Sequence, residues 1–405
     1  MVGFLAGSVN AQVAERKISL EEALELFAKN NLALQLSRSD AASFLGLARQ
    51  AAAYPNPVVS VTHEPLSTGS RSYSESYFML SQRLLWPGLR NARVEAANNL
   101  VSAARFQVAA DSIRIAFEVI STYLRVSAEE DKEAVLLQVA SLMRDVESSW
   151  TTRFDEGEVS GYDLRRMRLE RARHENALGL GSLSTNAAKR ELASLILYED
   201  DIVKLTPIDH PQGIPQELTL DVILNAARIG RPEISSALKN VEASQSSLKR
   251  SQLENRIQPT VTAGYKRQSD GLDGVYFGGA VGLPLFDRNQ GNIESEIAQK
   301  YAAETRHLLT IQEVENDVRL SFDLYQSLRN RMTLIQDDLL AEADDLLEIA
   351  LTSYNEGEMT LLELMDAAEA FRDAHLIQID MKTALWTNYF SVLRAAGLPL
   401  PSNFK

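Results

Sequence analysis

The sequence predicts a mainly α-helical chain with a β-barrel portion, written as an internal tandem repeat of long antiparallel coiled-coil helices. Each protomer offers four β-strands, too few to close a barrel, so the strands are expected to contribute to a twelve-stranded barrel shared by a trimer. Three observations predict this. Residues 352–364 read TSYNEGEMTLLEL and residues 152–164 read TRFDEGEVSGYDL, with five of thirteen positions identical at a spacing of two hundred. A register held over that distance marks one unit written twice. Each half also carries a pair of short extended segments between prolines, and residues 89–149 contain neither proline nor glycine.

The repeat divides the chain into a first structural repeat at 18–197 and a second at 218–397, joined by a linker at 198–217 that holds Pro207, Pro211 and Pro215, with a tail at 398–405. Ile18-Ser19-Leu20 recurs as Leu218-Thr219-Leu220, and Tyr77-Phe78 as Tyr276-Phe277. The N-terminal residues 1–17 include a short apolar patch and Val9-Asn10-Ala11 before Gln12, which resembles the small-residue end of a secretory signal, although the charged start is missing. They read as a signal remnant or a disordered N-terminus.

Ser19, with Glu22 at the capping-box position, opens a helix expected to run to about residue 53. Tyr54-Pro55-Asn56-Pro57 stops it, because two prolines in three residues cannot continue a helix. The first hairpin is expected within 57–86: a β-branched strand at 58–64, a polar turn at 65–75, and a strand at 76–85 with Phe78 and Leu80 on one face and Tyr77 and Ser81 on the other. After Pro87-Gly88 the apolar positions Ile113, Phe117, Ile120 and Leu124, then Val135, Val139, Leu142 and Val146, return at helical spacing. A helix of sixty residues is about 90 Å long and needs a lateral partner along its length, which residues 161–197 supply by returning antiparallel after a tip near Gly157.

The second half replays the first, with a helix at 219–256, a hairpin within 259–286 whose last strand is expected at 275–286, and a long helical hairpin with its tip near Gly357. A period of seven is explicit in Ile311, Val318, Tyr325, Met332, Leu339 and Leu346, accompanied by Val314, Leu328, Ile335 and Ile349. Such a period makes helices supercoil about one another.

Composition removes several classes of function. A net charge of −14 argues against a phosphate-binding surface, and so against nucleic acid. There is no cysteine, which excludes disulfides, thiolate metal sites and a cysteine nucleophile. No run of eighteen apolar residues exists, which leaves a β-barrel as the membrane-spanning option. Strands of about ten residues match a tilted span of the outer-membrane hydrocarbon layer. The five histidines lack ligand spacing, and Gly278-Gly279-Ala280-Val281-Gly282 lies inside a strand pattern without the lysine of a phosphate loop. The chain therefore reads as a non-enzyme without a cofactor or a metal site. Trp86 and Phe286, at matching exits from the strands, suit either a membrane-interface aromatic belt or packing against the helices.

Five stretches carry a family resemblance: ISLEEALELFAKNN, YPNP, RLLWPGLRNARVEAA, SYNEGEMTLLELMDAAEAF and, at 282–291, GLPLFDRNQG. Over 18–397 the chain resembles the TolC-like outer-membrane efflux channels, and the last stretch looks most like the CzcC-type heavy-metal branch. The resemblance implies a homotrimeric exit duct in the outer membrane of a Gram-negative bacterium, with a long periplasmic portion. It also implies a tripartite complex with a periplasmic adaptor (a membrane-fusion protein) and an inner-membrane RND pump, exporting heavy-metal cations by passive transport through the pore. It places the pore constriction at Glu363 and Asp366, which share a helix face, with Asp163 as the first-repeat equivalent of Glu363 and Arg166 in place of the second acid. The adaptor-contact tips fall at Gly157, Glu158, Gly357 and Glu358. Two other readings fit the same residues: a duct for drug efflux or type I protein secretion, and a soluble periplasmic coiled-coil scaffold with no pore.

Overall fold

The structure, a computed structural model, describes residues 15–196, 204–335 and 338–401. The expected N-terminal segment therefore lies largely outside the described residues, as do part of the linker and the end of the tail. Fifteen elements follow in order. The first half gives β1 (Glu15–Ile18), α1 (Leu20–Asn30), α2 (Leu32–Ala51), β2 (Val58–Thr68), β3 (Arg71–Arg83), α3 (Leu89–Asp155) and α4 (Gly161–Ile196). The second gives β4 (Lys204–Pro207), α5 (Leu220–Gly230), α6 (Pro232–Glu254), β5 (Thr260–Gln268), β6 (Asp273–Ala280), α7 (Gln290–Ile335), α8 (Asp338–Glu356) and α9 (Leu361–Ala395). Among the described residues no helix is long and apolar enough to cross a membrane.

Two compact units emerge, and each draws on both repeats. One comprises Leu36–Ala110 and Pro232–Glu313. Its centre is an antiparallel sheet in the order β2-β3-β5-β6, so the hairpin of the first repeat pairs with that of the second through β3 and β5. The first hairpin is longer than its sequence suggests. Pairing continues through Pro65↔Ser74 and Thr68↔Arg71, leaving only Gly69 and Ser70 between the strands. Proline is tolerated there because β2 is an edge strand of this sheet. The last strand is shorter, ending at Ala280 rather than 286, where Gly282 and Pro284 interrupt the extended pattern.

The other unit holds the described parts of Met1–Gln35, Asp111–Arg231 and Val314–Lys405. Here β1 and β4 form a small parallel sheet that the sequence did not announce, with Ile18 opposite Pro207. Tyr123, fully buried on α3, pins it: its hydroxyl donates to the Ile18 carbonyl at 3.0 Å and accepts from the N–H groups of Ile208 at 3.2 Å and Asp209 at 3.1 Å. Tyr325 on α7 repeats the device, donating to the Gln216 carbonyl at 2.7 Å. Burial pushes the phenols of Tyr123 and Tyr325 up to about 12.

The helices expected at 19–53 and 219–256 are each broken once. Asn31 ends α1 and caps α2, accepting from the Leu34 N–H at 3.0 Å while donating to the Leu195 carbonyl at 2.9 Å. Arg231 occupies the equivalent position before Pro232, a residue suited to the first helical turn. Ser19 does cap α1, accepting from the Glu22 N–H at 3.1 Å, but the Glu22 carboxylate pairs with Arg16 instead of completing the box.

Val318, Tyr325 and Met332 of the seven-residue series are buried, but Leu339, Leu346 and Ile349 are exposed. The buried set on α8 is Ala343, Leu347 and Ala350, so the seam within the chain changes phase between α7 and α8. Around it, Val139, Met143, Val146 and Trp150 of α3, Leu164 and Met167 of α4, and Leu364, Ala368 and Phe371 of α9 form one core. Both helical hairpins thus reverse beside the same core, and Trp150 donates its indole N–H to the Tyr354 hydroxyl across the repeats.

Candidate pore surface and helical tips

Directly paired residues on neighbouring strands share a face, so the register sorts the four-stranded sheet into two surfaces. One gathers Val59 and Val61, Phe78 and Leu80, Val261 and Tyr265, and Val275 and Phe277. All are exposed, Val275 at 76% and Phe277 at 78%. The other gathers Ser60, Thr62, Glu75, Tyr77, Ser81, Thr262 and Lys266. A sheet this divided suits hydrocarbon on one side and water on the other.

Glu75 organises the polar face. Its carboxylate receives Lys266 Nζ at 2.8 Å, the Tyr73 hydroxyl at 3.0 Å and Gln268 Nε2 at 2.9 Å, and the Tyr77 hydroxyl also donates to it. Lys266 stands 5.1 Å over the Tyr77 ring. Glu75 and Lys266 are diagonal neighbours across β3 and β5, which is why sequence reasoning missed them: the pairing of the two hairpins was not visible. Gly264 makes the close approach possible, since a Cβ there would lie 2.3 Å from the Phe78 carbonyl oxygen.

The two tips are near copies. Gly157 and Gly357 have φ of 81° and 80°, the left-handed conformation glycine adopts without strain. The N–H of Glu158 donates to the Arg153 carbonyl at 2.8 Å and that of Glu358 to the Ser353 carbonyl at 2.9 Å, which closes a Schellman motif at each turn. Arg153 and Glu158 form an ion pair at 3.2 Å. Beyond the adjoining residues, no atom of the described residues lies within 4 Å of a Cβ built on either glycine, so both turns are uncovered among the described residues.

The acidic residues start the returning helices. Glu363 and Thr360 form a full capping box: Glu363 Oε2 accepts from the Thr360 N–H at 2.8 Å and its hydroxyl at 2.7 Å. That backbone N–H, and then the hydroxyl, hold the Glu363 carboxyl below the usual carboxylate range. Asp163 is placed alike on α4, accepting from the Ser160 hydroxyl at 2.6 Å while its own N–H donates to Ser160 Oγ at 3.2 Å. Asp366 is exposed on the same face as Glu363. Trp86 is 39% exposed and Phe286 is 93% exposed, alongside the exposed Val281, Leu283 and Leu285.

The remaining histidines and the Gly-Leu-Pro segment have local roles. His375 pairs with Asp344 at 2.9 Å, His63 with Ser76 at 2.9 Å and His210 with Ser127 at 2.7 Å, while His174 is buried. Among the described residues no group of three or more His, Asp or Glu is placed to hold a metal ion. In 282–291, Asn289 takes φ of 59°, its carbonyl accepts from the N–H of Ile293 in the first turn of α7 at 3.0 Å, and its side-chain amide donates to the Ser251 carbonyl at 2.8 Å. That stretch is therefore the strand-to-helix corner.

One apolar and one polar sheet face beside long coiled helices is the architecture expected of a subunit that contributes strands to a barrel. Residues 223–398 match the family model described as outer membrane efflux protein. The cobalt-zinc-cadmium resistance protein CzcC of Cupriavidus metallidurans is 26% identical over 371 residues, covering 89% of this chain and 85% of the relative. Among solved structures, a membrane protein from Pseudomonas aeruginosa superposes with a TM-score of 0.80 at 18% identity, covering 93% of this chain and 92% of the other. The CmeC outer membrane channel of Campylobacter jejuni gives a TM-score of 0.80 at 18% identity, covering 93% and 85%. The second half of the chain thus matches the outer membrane efflux protein family, and the chain as a whole shares the fold of outer membrane channels of known structure.

Proposed function

We propose that three copies of this chain form the exit duct of a tripartite efflux system that releases heavy-metal cations, working with a periplasmic adaptor and an inner-membrane RND pump. The observation that carries the trimer is the four-stranded sheet: its apolar face calls for lipid, and β2 and β6 each keep one edge unpaired among the described residues. Three sheets joined edge to edge make twelve strands, an allowed closed barrel with a water-filled interior. The similarity to CzcC supports the metal cargo. Glu363 and Asp366 would form two carboxylate rings that favour cations, with Asp163 extending one of them. The open tips around Gly157, Glu158, Gly357 and Glu358 would receive the adaptor, and Trp86 and Phe286 would anchor the barrel at the membrane interface.

Planar-bilayer recording tests this reading. The duct is expected to conduct, to prefer cations, and to be blocked by divalent ions. Because its capping bonds keep Glu363 charged at lower pH than an ordinary carboxylate, cation preference should persist as pH falls to the usual carboxylate range and fade below it. Glu363→Ala with Asp366→Ala should raise conductance and relieve the block. Unchanged conductance and block in that variant would reject the rings, and a chain that never conducts would reject the duct.

A further inference from the structure

A carboxylate offers about four lone-pair directions on its two oxygens, and at Glu75 all of them are taken. Oε1 accepts from the Tyr73 hydroxyl at 3.0 Å and from Gln268 Nε2 at 2.9 Å. Oε2 accepts from the Tyr77 hydroxyl and from Lys266 Nζ at 2.8 Å. The Glu75 side chain is 15% exposed. A carboxylate filled in this way has no oxygen to offer a passing cation.

Its neighbour across the strand differs. Glu64 on β2 stands directly opposite Glu75, on the same polar face, and is exposed. Side chains opposed in this way have Cβ atoms about 4.5–5.5 Å apart, and like charges there repel. Two such carboxylates can instead close on one divalent cation, each giving an oxygen at about 2.0–2.2 Å from a zinc ion. The cation found at Glu75 is the Lys266 ammonium, reaching diagonally from β5 and held 5.1 Å over the Tyr77 ring. Gly274, opposite Lys266 on β6, adds no side chain to crowd it. The group lies at the turn end of the sheet, since β5 ends two residues after Lys266.

We infer that Lys266 is a selectivity-determining residue of the barrel: by saturating Glu75 it keeps Glu64 and Glu75 from forming a divalent-cation site, so that cations leave the barrel without being retained. The inference rests on the trimeric duct reading above, which brings three such groups around one lumen. It adds an element of selectivity separate from Glu363 and Asp366.

Planar-bilayer recording of the full-length chain, with Zn2+ added at the barrel side, tests this. Lys266→Gln removes the ammonium but keeps a hydrogen-bond donor, and should strengthen Zn2+ block about tenfold. Lys266→Arg should be blocked as the unsubstituted chain is. Adding either Glu64→Gln or Glu75→Gln to Lys266→Gln should remove the added block, whereas adding Glu363→Ala with Asp366→Ala should leave it in place. Glu75→Gln alone leaves Lys266 without its carboxylate and should lower cation preference, a readout that does not depend on the Lys266→Gln chain assembling. Zn2+ block unchanged in Lys266→Gln, or cation preference unchanged in Glu75→Gln, would overturn the role of Lys266 and leave the duct standing. An added block that vanishes with the acids of the tip would overturn it too. An unsubstituted chain that never conducts would overturn the duct reading itself.

Discussion

The two β-sheets of this molecule join its repeats in opposite ways. In the β1–β4 pair, Ile18 and Leu205 are wholly buried, and Tyr123 satisfies the backbone groups around them. In the β2-β3-β5-β6 sheet, β2 is exposed along its whole length and all four strands contribute apolar residues, Val59, Val61, Phe78, Leu80, Val261, Val275 and Phe277 among them, to one open face. The first sheet is stabilised from inside the chain. The second depends on something outside it, because leaving a large apolar side chain in water forfeits about 1.5–3 kcal/mol.

Charges on the two faces of the larger sheet should break the comparison most sharply. Phe78→Arg with Phe277→Arg puts two cations on the apolar face and should cost about 2–4 kcal/mol each at mid-membrane, emptying the outer-membrane fraction of assembled protein. Thr62→Arg on the polar face should leave the fractionation unchanged. Equal loss from both would mean that the faces are not divided between lipid and water. In the smaller sheet the effect is milder and lies within one chain. Tyr123→Phe leaves the Ile18 carbonyl and the Ile208 and Asp209 N–H groups short of a partner, which should cost about 1–3 kcal/mol, read as a lower thermal midpoint in detergent with trimers intact.

The same contrast explains what the sequence disclosed. The fold class was legible because prolines punctuate both hairpins, and because a stretch free of proline and glycine continues into the 67-residue α3. Hairpin limits were less so: Ser- and Thr-rich residues 65–75 look like a loop, yet pairing to the partner strand extends them almost to Gly69. The β1–β4 pair was hidden because four residues carry no period, and their pairing spans nearly two hundred positions. At the tips, the glycines were readable as left-handed caps. The acids Glu363 and Asp163 were read from resemblance as pore residues; each also has a capping bond to Thr360 or Ser160, so their substitution touches helix starts as well as any ring. Glu75 and Lys266 needed the register between hairpins before they could be seen as partners.

The measurement closest to the central claim is the number of chains per particle, counted by native mass spectrometry on protein extracted from outer membranes in mild detergent. Three chains, held with a sheet protected from hydrogen exchange along β2 and β6 as well as β3 and β5, is the predicted result. A single chain whose β2 and β6 edges exchange freely would contradict it.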